Sequence, residues 1–284
     1  MNNFVVRTIT AIFFAIVVVS CLVINQWTYL ALIFTIMVGS VLEFYKISHP
    51  MFKKDKQRSE LYRNLILSMS ILAFFIAFLV GFKYISVTFL FIIPVFIAVL
   101  FNIELFLKSV NPFRNIGLNL LALYYIVLPL SLIHFVGFTK GVFTGAIVLG
   151  ILFIIWANDS GAYIVGSLIG RNKLIPHVSP NKTIEGFLGG GLFCFLVAYL
   201  NIHFFSKIEI LSTFQLINAT TWYAIAGVVF IFATMGDLVE SLLKRSLKIK
   251  DSGNILPGHG GFLDRFDAFL FVLPFIVAIV KILN

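Results

Sequence analysis

The chain has 284 residues, of which 60% are hydrophobic and 12% are charged, and 33 of them are Phe. Soluble globular proteins carry about 25% charged residues, and no water-soluble packing would hide this much apolar surface. The composition therefore excludes a water-soluble protein and predicts an all-α, polytopic integral membrane protein. The formal net charge of +9 is explained by basic cytoplasmic loops, and we predict no nucleic-acid partner.

Nine apolar stretches are long enough to cross a bilayer, which takes about 20 residues. In chain order they are residues 8–25, 27–44, 64–82, 84–101, 117–137, 141–157, 184–205, 220–239 and 264–283. The first stretch has no small-residue cleavage site, so we expect an anchor rather than a removed signal peptide. The sixth either continues through "GAYIVGSLIG" (161–170) or is followed there by a separate short helix.

Basic residues predict the orientation of these stretches, because cytoplasmic loops are enriched in Lys and Arg. With the amino terminus inside, 17 of the 21 basic residues lie in inside segments. The four outside are Lys83, Lys140, Lys207 and Lys281. We therefore predict a cytoplasmic amino terminus, an outer carboxyl terminus, and cytoplasmic loops at 46–63, 158–183 and 240–263. The basic loop 46–63 is also suited to contact with anionic lipid headgroups.

The acidic residues predict two regions of the chain. Residues 1–150 contain four acids, whereas residues 151–284 contain eight and are interrupted by the polar segments 158–183 and 240–263. We predict transmembrane scaffold helices in 1–150, and a transmembrane catalytic region with cytoplasmic polar loops in 151–284.

Three aspartates lie at the predicted cytoplasmic edge of the membrane. Asp237 is near the end of the eighth stretch, and Asp264 and Asp267 begin the ninth at a spacing that places both on one helical face. Ionised side chains are costly at membrane depth, so such acids indicate function. Carboxylate oxygens suit Mg²⁺, which also binds substrate phosphates. We predict a metal site here; the alternative is that Asp264 only pairs with Arg265 or Lys250 and caps the helix.

Residues that suit phosphate precede the ninth stretch. "PGHGG" (257–261) surrounds His259 with glycines, and a helix amino terminus attracts phosphate. The nearby cations are Lys244, Arg245, Lys248 and Lys250. Acids for a metal beside cations and glycines for phosphate are typical of phosphoryl or nucleotidyl transfer. Taken alone, the cations are also explained by orientation in the membrane, and the glycines by a tight loop.

A second polar insert joins the sixth and seventh stretches. In "SPNKTIEG" (179–186), Ser179, Lys182 and Thr183 can hold phosphate or a nucleotide. The alternative is an ordinary helix start with Thr183 near the cap. "GFLGGGLF" (186–193) predicts close helix packing, because it lacks the strand and the lysine of a P-loop.

The segment 241–267 resembles the signature of the phosphatidate cytidylyltransferases, also called CDP-diacylglycerol synthases. All of its fixed positions are present: Ser241, Lys244-Arg245, Lys250-Asp251, Pro257, His259-Gly260-Gly261, Asp264-Arg265 and Asp267. "DSGAYIVG" and "SPNKTIEG" also resemble family segments. The resemblance is specific over residues 156–283; over 1–150 it is a helical layout, with "RTITAI" near the start.

The resemblance implies that CTP and phosphatidic acid react to give CDP-diacylglycerol and pyrophosphate, with a divalent cation. The expected metal ligands are Asp237, Asp264 and Asp267, with Mg²⁺ as the cation and a second cation left open. These aspartates, Lys182 and His259 form the expected catalytic set. The expected substrate-binding residues are Asp159, Ser179, Asn181, Thr183, Ser241, Lys244, Arg245, Lys250, Gly260, Gly261 and Arg265.

One of these substrates is soluble and the other is a lipid, so we expect the site on the cytoplasmic side of a bacterial inner membrane. The expected partners are CTP, phosphatidic acid and membrane lipids, with a homodimer left open. One alternative is a related enzyme acting on another lipid phosphate or nucleotide. An ion-coupled transporter is disfavoured because the charge is unequally divided between the two halves of the chain and lies at the cytoplasmic ends of the helices. An inactive scaffold is disfavoured because every signature residue is present.

Overall fold

The computed structural model describes residues 3–48, 56–107, 109, 111–247, 249, 252–253 and 260–284, with side chains from residue 8 in the first range and from residue 60 in the second. The helices are α1 (Asn3–Ile24), α2 (Gln26–Ser48), α3 (Lys56–Gly81), α4 (Ile93–Leu107), α5 (Pro112–Ala122), α6 (Leu128–Leu132), α7 (His134–Gly137), α8 (Gly145–Ile169), α9 (Ile184–His203), α10 (Ala219–Ser246) and α11 (Leu263–Leu283). Tighter 3₁₀ turns occupy Val87–Ile92, Phe205–Lys207 and Glu209–Leu216, and a π-turn at Leu123–Val127 joins α5 to α6.

Two short antiparallel hairpins interrupt the helices. Strands β1 (Phe138–Thr139) and β2 (Val142–Phe143) precede α8, and strands β3 (Lys173–Ile175) and β4 (Ser179–Thr183) join α8 to α9. In the second hairpin Lys173 pairs with Thr183 and Ile175 with Ser179. The Glu185 carboxylate accepts hydrogen bonds from the N–H groups of Arg171 and Asn172, which fixes the hairpin to the start of α9.

The chain is an all-α polytopic membrane protein, as its composition predicts. Within the described residues, eight helical segments are long and apolar enough to cross a membrane, and Thr8–Ile24 forms a shorter apolar helix. Each predicted stretch corresponds to one of these segments. The sixth continues without a break to Ile169, so the first of the two alternatives for "GAYIVGSLIG" is correct.

Helix length places polar side chains at the membrane edge. The 28 residues of α10 extend over about 42 Å at 1.5 Å per residue, whereas the hydrocarbon core is about 30 Å thick. We therefore expect its last three turns, which contain Asp237, Glu240 and Lys244, at the edge of the apolar layer.

Glycines bring α8 and α9 into close contact. A Cβ on Gly190 would lie 2.7 Å from Asn158 Oδ1, and one on Gly186 would lie 2.7 Å from the Ala162 carbonyl oxygen. Both glycines are buried. The helix-packing interpretation of "GFLGGGLF" is therefore confirmed. This packing holds the polar carboxyl-terminal half of α8 beside the start of α9.

The two halves of the chain also contact each other at α2. A Cβ on Gly39 would lie 2.5 Å from the ring of Phe262, directly before α11. The division of the chain into scaffold and catalytic region at residue 150 stays a prediction.

The orientation in the membrane can be tested at the two ends of α9. His177 of the β3–β4 turn and Glu209 are both exposed, and α9 separates them. In a variant with Cys21 and Cys194 replaced by Ser, we expect an impermeant thiol reagent added outside cells to label Glu209→Cys but not His177→Cys, because the basic residues place the hairpin inside. Permeabilised cells should allow labelling at both positions. Labelling of His177→Cys in intact cells would refute the orientation.

Candidate active site

A cavity of about 500 Å³ lies between α8, the β3–β4 hairpin, α9 and α10. Five of the sequence-predicted site residues line it: Asp159, Asn181, Lys182, Thr183 and Asp237. Its other walls include the apolar side chains of Leu174 and Phe187. The second polar insert therefore shares one cavity with the polar end of α10.

An ion pair joins the two polar inserts across this cavity. Lys182 Nζ of β4 contacts Asp237 Oδ2 of α10, and both side chains remain partly exposed, at 27% and 39%. The pair holds an ammonium and a carboxylate at the cavity wall, where both are accessible to a ligand.

Three carboxylates come together where α10 packs against α11. Carboxylate oxygens of Asp237, Glu240 and Asp267 all lie within 4.8 Å of one another. Close helix packing permits this approach, because a Cβ on Gly236 would lie 3.1 Å from the Asp267 carbonyl oxygen. Three anions at this spacing repel one another unless a cation or protons compensate them. Hard carboxylate oxygens are the donors that Mg²⁺ prefers, so this group fits a divalent cation.

Asp264 has different partners from Asp267. Its Oδ1 accepts a hydrogen bond from Lys244 Nζ at 2.8 Å, and Lys244 also forms an ion pair with Glu240. Its Oδ2 accepts from the N–H groups of Ser252 and Gly261, each at 3.0 Å. Of the predicted metal ligands, the structure thus groups Asp237 and Asp267 with Glu240, and Lys244 links this group to Asp264.

The predicted glycines lie against these acids. Gly260 has a positive φ of 82°, and a Cβ there would lie 2.7 Å from Asp264 Oδ2. A left-handed backbone conformation and a close carboxylate both favour glycine at this position. Gly261 contributes its N–H to Asp264. The two glycines therefore allow the segment before α11 to close onto the Asp264 side chain.

The structure describes most of the remaining predicted residues. Thr183 Oγ1 accepts from the Gly186 N–H at 3.1 Å and caps α9, so the helix-start interpretation of "SPNKTIEG" is correct, although Thr183 also lines the cavity. Ser179 begins β4 outside the described cavity lining, and Ser241 is half-buried on α10. Arg245 and Arg265 are exposed on α10 and α11. His259 and Lys250 lie outside the described residues.

Sequence reasoning did not single out Glu240. Its side chain is fully buried in α10, and it follows Asp237 at the same i, i+3 spacing that drew attention to Asp264 and Asp267. That spacing was the available signal.

Comparison with known proteins identifies the family of this chain. The model of the cytidylyltransferase family matches residues 5–283. The chain belongs to the cytidylyltransferase family. The match covers almost the whole chain, so the resemblance found in the 241–267 signature is confirmed at the level of the family.

Curated relatives of this cytidylyltransferase-family chain are bacterial proteins named phosphatidate cytidylyltransferase. The chain is 47% identical to the one from Staphylococcus aureus (strain COL) over 127 residues, which are 45% of this chain and 46% of that protein. It is 49% identical to the one from Bacillus subtilis (strain 168) over 123 residues, 43% of each protein. The matched residues thus span less than half the length of each of these relatives. With its apolar helices, this family member is an integral membrane protein with bacterial relatives.

Proposed function

We propose that this chain transfers a cytidylyl group from CTP to phosphatidic acid, giving CDP-diacylglycerol and pyrophosphate. The observation that carries the proposal is the cluster of Asp237, Glu240 and Asp267, of which Asp237 lines the cavity together with Lys182. Relatives of this chain are named for the same activity.

The reaction needs charge neutralisation more than proton transfer. A lipid phosphate oxygen attacks the α-phosphorus of CTP, and the bond between the α-phosphorus and the pyrophosphate oxygen breaks. The attacking oxygen is already anionic, so no general base is required. The two substrates are polyanions that repel each other, and catalysis consists of bringing them together in line.

We propose that Asp237, Glu240 and Asp267 hold Mg²⁺. A bound Mg²⁺ would supply positive charge that stabilises the phosphates during transfer. Glu240 takes the place that the sequence assigned to Asp264, because Glu240 lies within 4.8 Å of Asp237 and Asp267, whereas Asp264 Oδ2 is bound by the Ser252 and Gly261 N–H groups. A metal role for Asp264, and a second cation, stay predictions.

The lysines of the site are suited to the substrate phosphates. Lys182 and Lys244 each contact a carboxylate, so each ammonium is held in place before a substrate arrives. A triphosphate near the cavity would attract both through charge-assisted hydrogen bonds. In our proposal Lys182 neutralises negative charge on the triphosphate of CTP. Lys244 stabilises both the Asp264 carboxylate and the substrate phosphates.

The position of the cavity suits one soluble and one lipid substrate. We place it at the cytoplasmic edge of the membrane, on the basis of the distribution of basic residues. Tyr163 of α8 is 77% exposed and Leu188 of α9 is 59% exposed, so apolar side chains flank the cavity where acyl chains would lie. CTP would enter from the cytosol, and phosphatidic acid from the bilayer.

Product formation tests this function. The purified protein in detergent micelles, given CTP, phosphatidic acid and Mg²⁺, should release pyrophosphate and form CDP-diacylglycerol. EDTA should abolish the reaction and excess Mg²⁺ should restore it, because the carboxylate cluster then regains its cation. ATP, and lipid phosphates other than phosphatidic acid, serve as controls. Equal rates with these would favour a related nucleotidyltransferase, and undiminished turnover in excess chelator would refute the metal site.

A further inference from the structure

Glu43 is a buried carboxylate on α2, outside the candidate active site. Its side chain is 3% exposed, in the last two turns of a helix that can cross the membrane. Burying an acid there is costly unless hydrogen bonds compensate it. Its partners therefore indicate what the residue does.

Both described partners of Glu43 belong to the segment that resembles the family signature. Glu43 Oε2 accepts a hydrogen bond from Ser252 Oγ at 3.2 Å and one from the Leu263 N–H at 3.0 Å. Leu263 is the first residue of α11. The carboxylate therefore binds an orphan N–H of this helix and lies at its positive end.

Two glycines make room for the Glu43 side chain. A Cβ on Gly253 would lie 2.5 Å from Glu43 Oε1, and a Cβ on Gly261 would clash with Glu43 Oε2. Within the described residues, Oε1 has no hydrogen-bond partner. The carboxylate thus lies between two backbone stretches, residues 252–253 and residues 261–263.

Asp264 also binds both of these backbone stretches. It accepts from the N–H groups of Ser252 and Gly261, and its other oxygen contacts Lys244, which pairs with Glu240. A continuous set of contacts therefore runs from Glu43 through the start of α11 to the carboxylate cluster. Asp267 lies one turn further along α11.

We propose that Glu43 is a positioning residue for the carboxylate cluster. By holding Ser252 and the first N–H of α11, it fixes the start of this helix and so the place of Asp267 relative to Asp237 and Glu240. The link to metal binding rests on the proposed function, whereas the link to the start of α11 does not.

Hydrogen exchange and Mn²⁺ binding test this role without turnover. In Glu43→Ala, amide exchange over residues 260–267 should accelerate by about tenfold or more, since a buried hydrogen-bond acceptor is lost. Mn²⁺ affinity, measured by electron paramagnetic resonance, should fall by about 10–100-fold, as for other residues that orient metal ligands. In Glu43→Gln both the exchange rate and the Mn²⁺ affinity should lie between the values of the wild type and of Glu43→Ala, because the glutamine amide oxygen can still accept from the Leu263 N–H.

Glu104 provides the matched control. It is also a buried acid of the first half, at 5% exposure, but its carboxylate accepts a hydrogen bond from Tyr62 of α3. Glu104→Ala should leave exchange over 260–267 and Mn²⁺ affinity unchanged. The same changes in Glu104→Ala, or wild-type values in Glu43→Ala, would overturn the proposal.

Three further outcomes can be told apart. If Glu43→Ala does not fold, Glu43→Gln is judged by the same two readouts, and wild-type values in it would overturn the proposal. If the wild-type protein makes no CDP-lipid, the proposed function fails, and the exchange measurement alone decides the role of Glu43. An active wild type with unchanged Glu43 variants would refute only the positioning role.

Discussion

Asp267→Asn should lower turnover by at least about 10²-fold while the protein stays folded. Asparagine keeps the shape of the side chain and removes one negative charge from a group whose oxygens lie within 4.8 Å of one another. Loss of one preorganised electrostatic partner costs about 10²–10³ in rate, and repulsion from Asp237 and Glu240 is relieved. Turnover across a Mg²⁺ titration and thermal unfolding in detergent measure the two effects. Activity should recover partly at high Mg²⁺.

Two variants separate the metal role from a structural one. Glu240→Gln should behave like Asp267→Asn if Glu240 completes the site. Asp264→Asn keeps only one acceptor oxygen, so it loses either the contact with Lys244 or those with the Ser252 and Gly261 N–H groups. We expect a loss of about 1–3 kcal/mol of stability, the cost of leaving a buried hydrogen-bonding group without its partner. A lowered melting temperature of Asp267→Asn, together with normal turnover and normal Mg²⁺ dependence, would contradict the metal site.

Lys182→Ala should lower kcat/KM for CTP by about 10²-fold, with little effect on stability. Lys182 lines the cavity and its partly exposed ion pair with Asp237 contributes at most about 1 kcal/mol to folding. Its loss removes a positive charge meant for phosphate and leaves Asp237 without that ion-pair partner. The Mg²⁺ concentration for half-maximal activity should therefore fall or stay the same, opposite to Asp267→Asn.

Lys173→Ala is the control for this change. Lys173 is exposed on β3 of the same hairpin and lies outside the described lining of the cavity. We expect wild-type kinetics for it. Wild-type kcat/KM of Lys182→Ala for both CTP and phosphatidic acid would exclude the hairpin from the site.

The helices were predictable because hydropathy is a local property. A run of about 20 apolar residues satisfies its backbone groups in a bilayer only as a helix, whatever its neighbours are. The nine predicted stretches therefore match the helices. Their ends were less well predicted: α10 continues to Ser246, beyond the predicted end at 239, and the end of α8 at Ile169 was only one of two alternatives. Polar residues beyond the apolar layer can still be helical.

The chemistry of the site was partly predictable from the same sequence. Acids and cations are costly in an apolar chain, so their crowding at 241–267 predicts the region of the candidate site and the kind of ligand that it would bind. The i, i+3 spacing placed Asp264 and Asp267 on one helical face. It left open what each of them contacts.

Tertiary packing decided which carboxylates meet. The contact between α10 and α11 at Gly236 brings Asp267 to Asp237 and Glu240, whereas Asp264, nearer the helix start, reaches Lys244 and the N–H groups before α11. Glu43 lies 209 residues from Ser252 in the chain. The sequence by itself determined the membrane class, the helices and the chemical character of the site. Only the tertiary structure assigned a partner to each acid, because contacts between helices depend on how their faces pack and not on the spacing within any one of them.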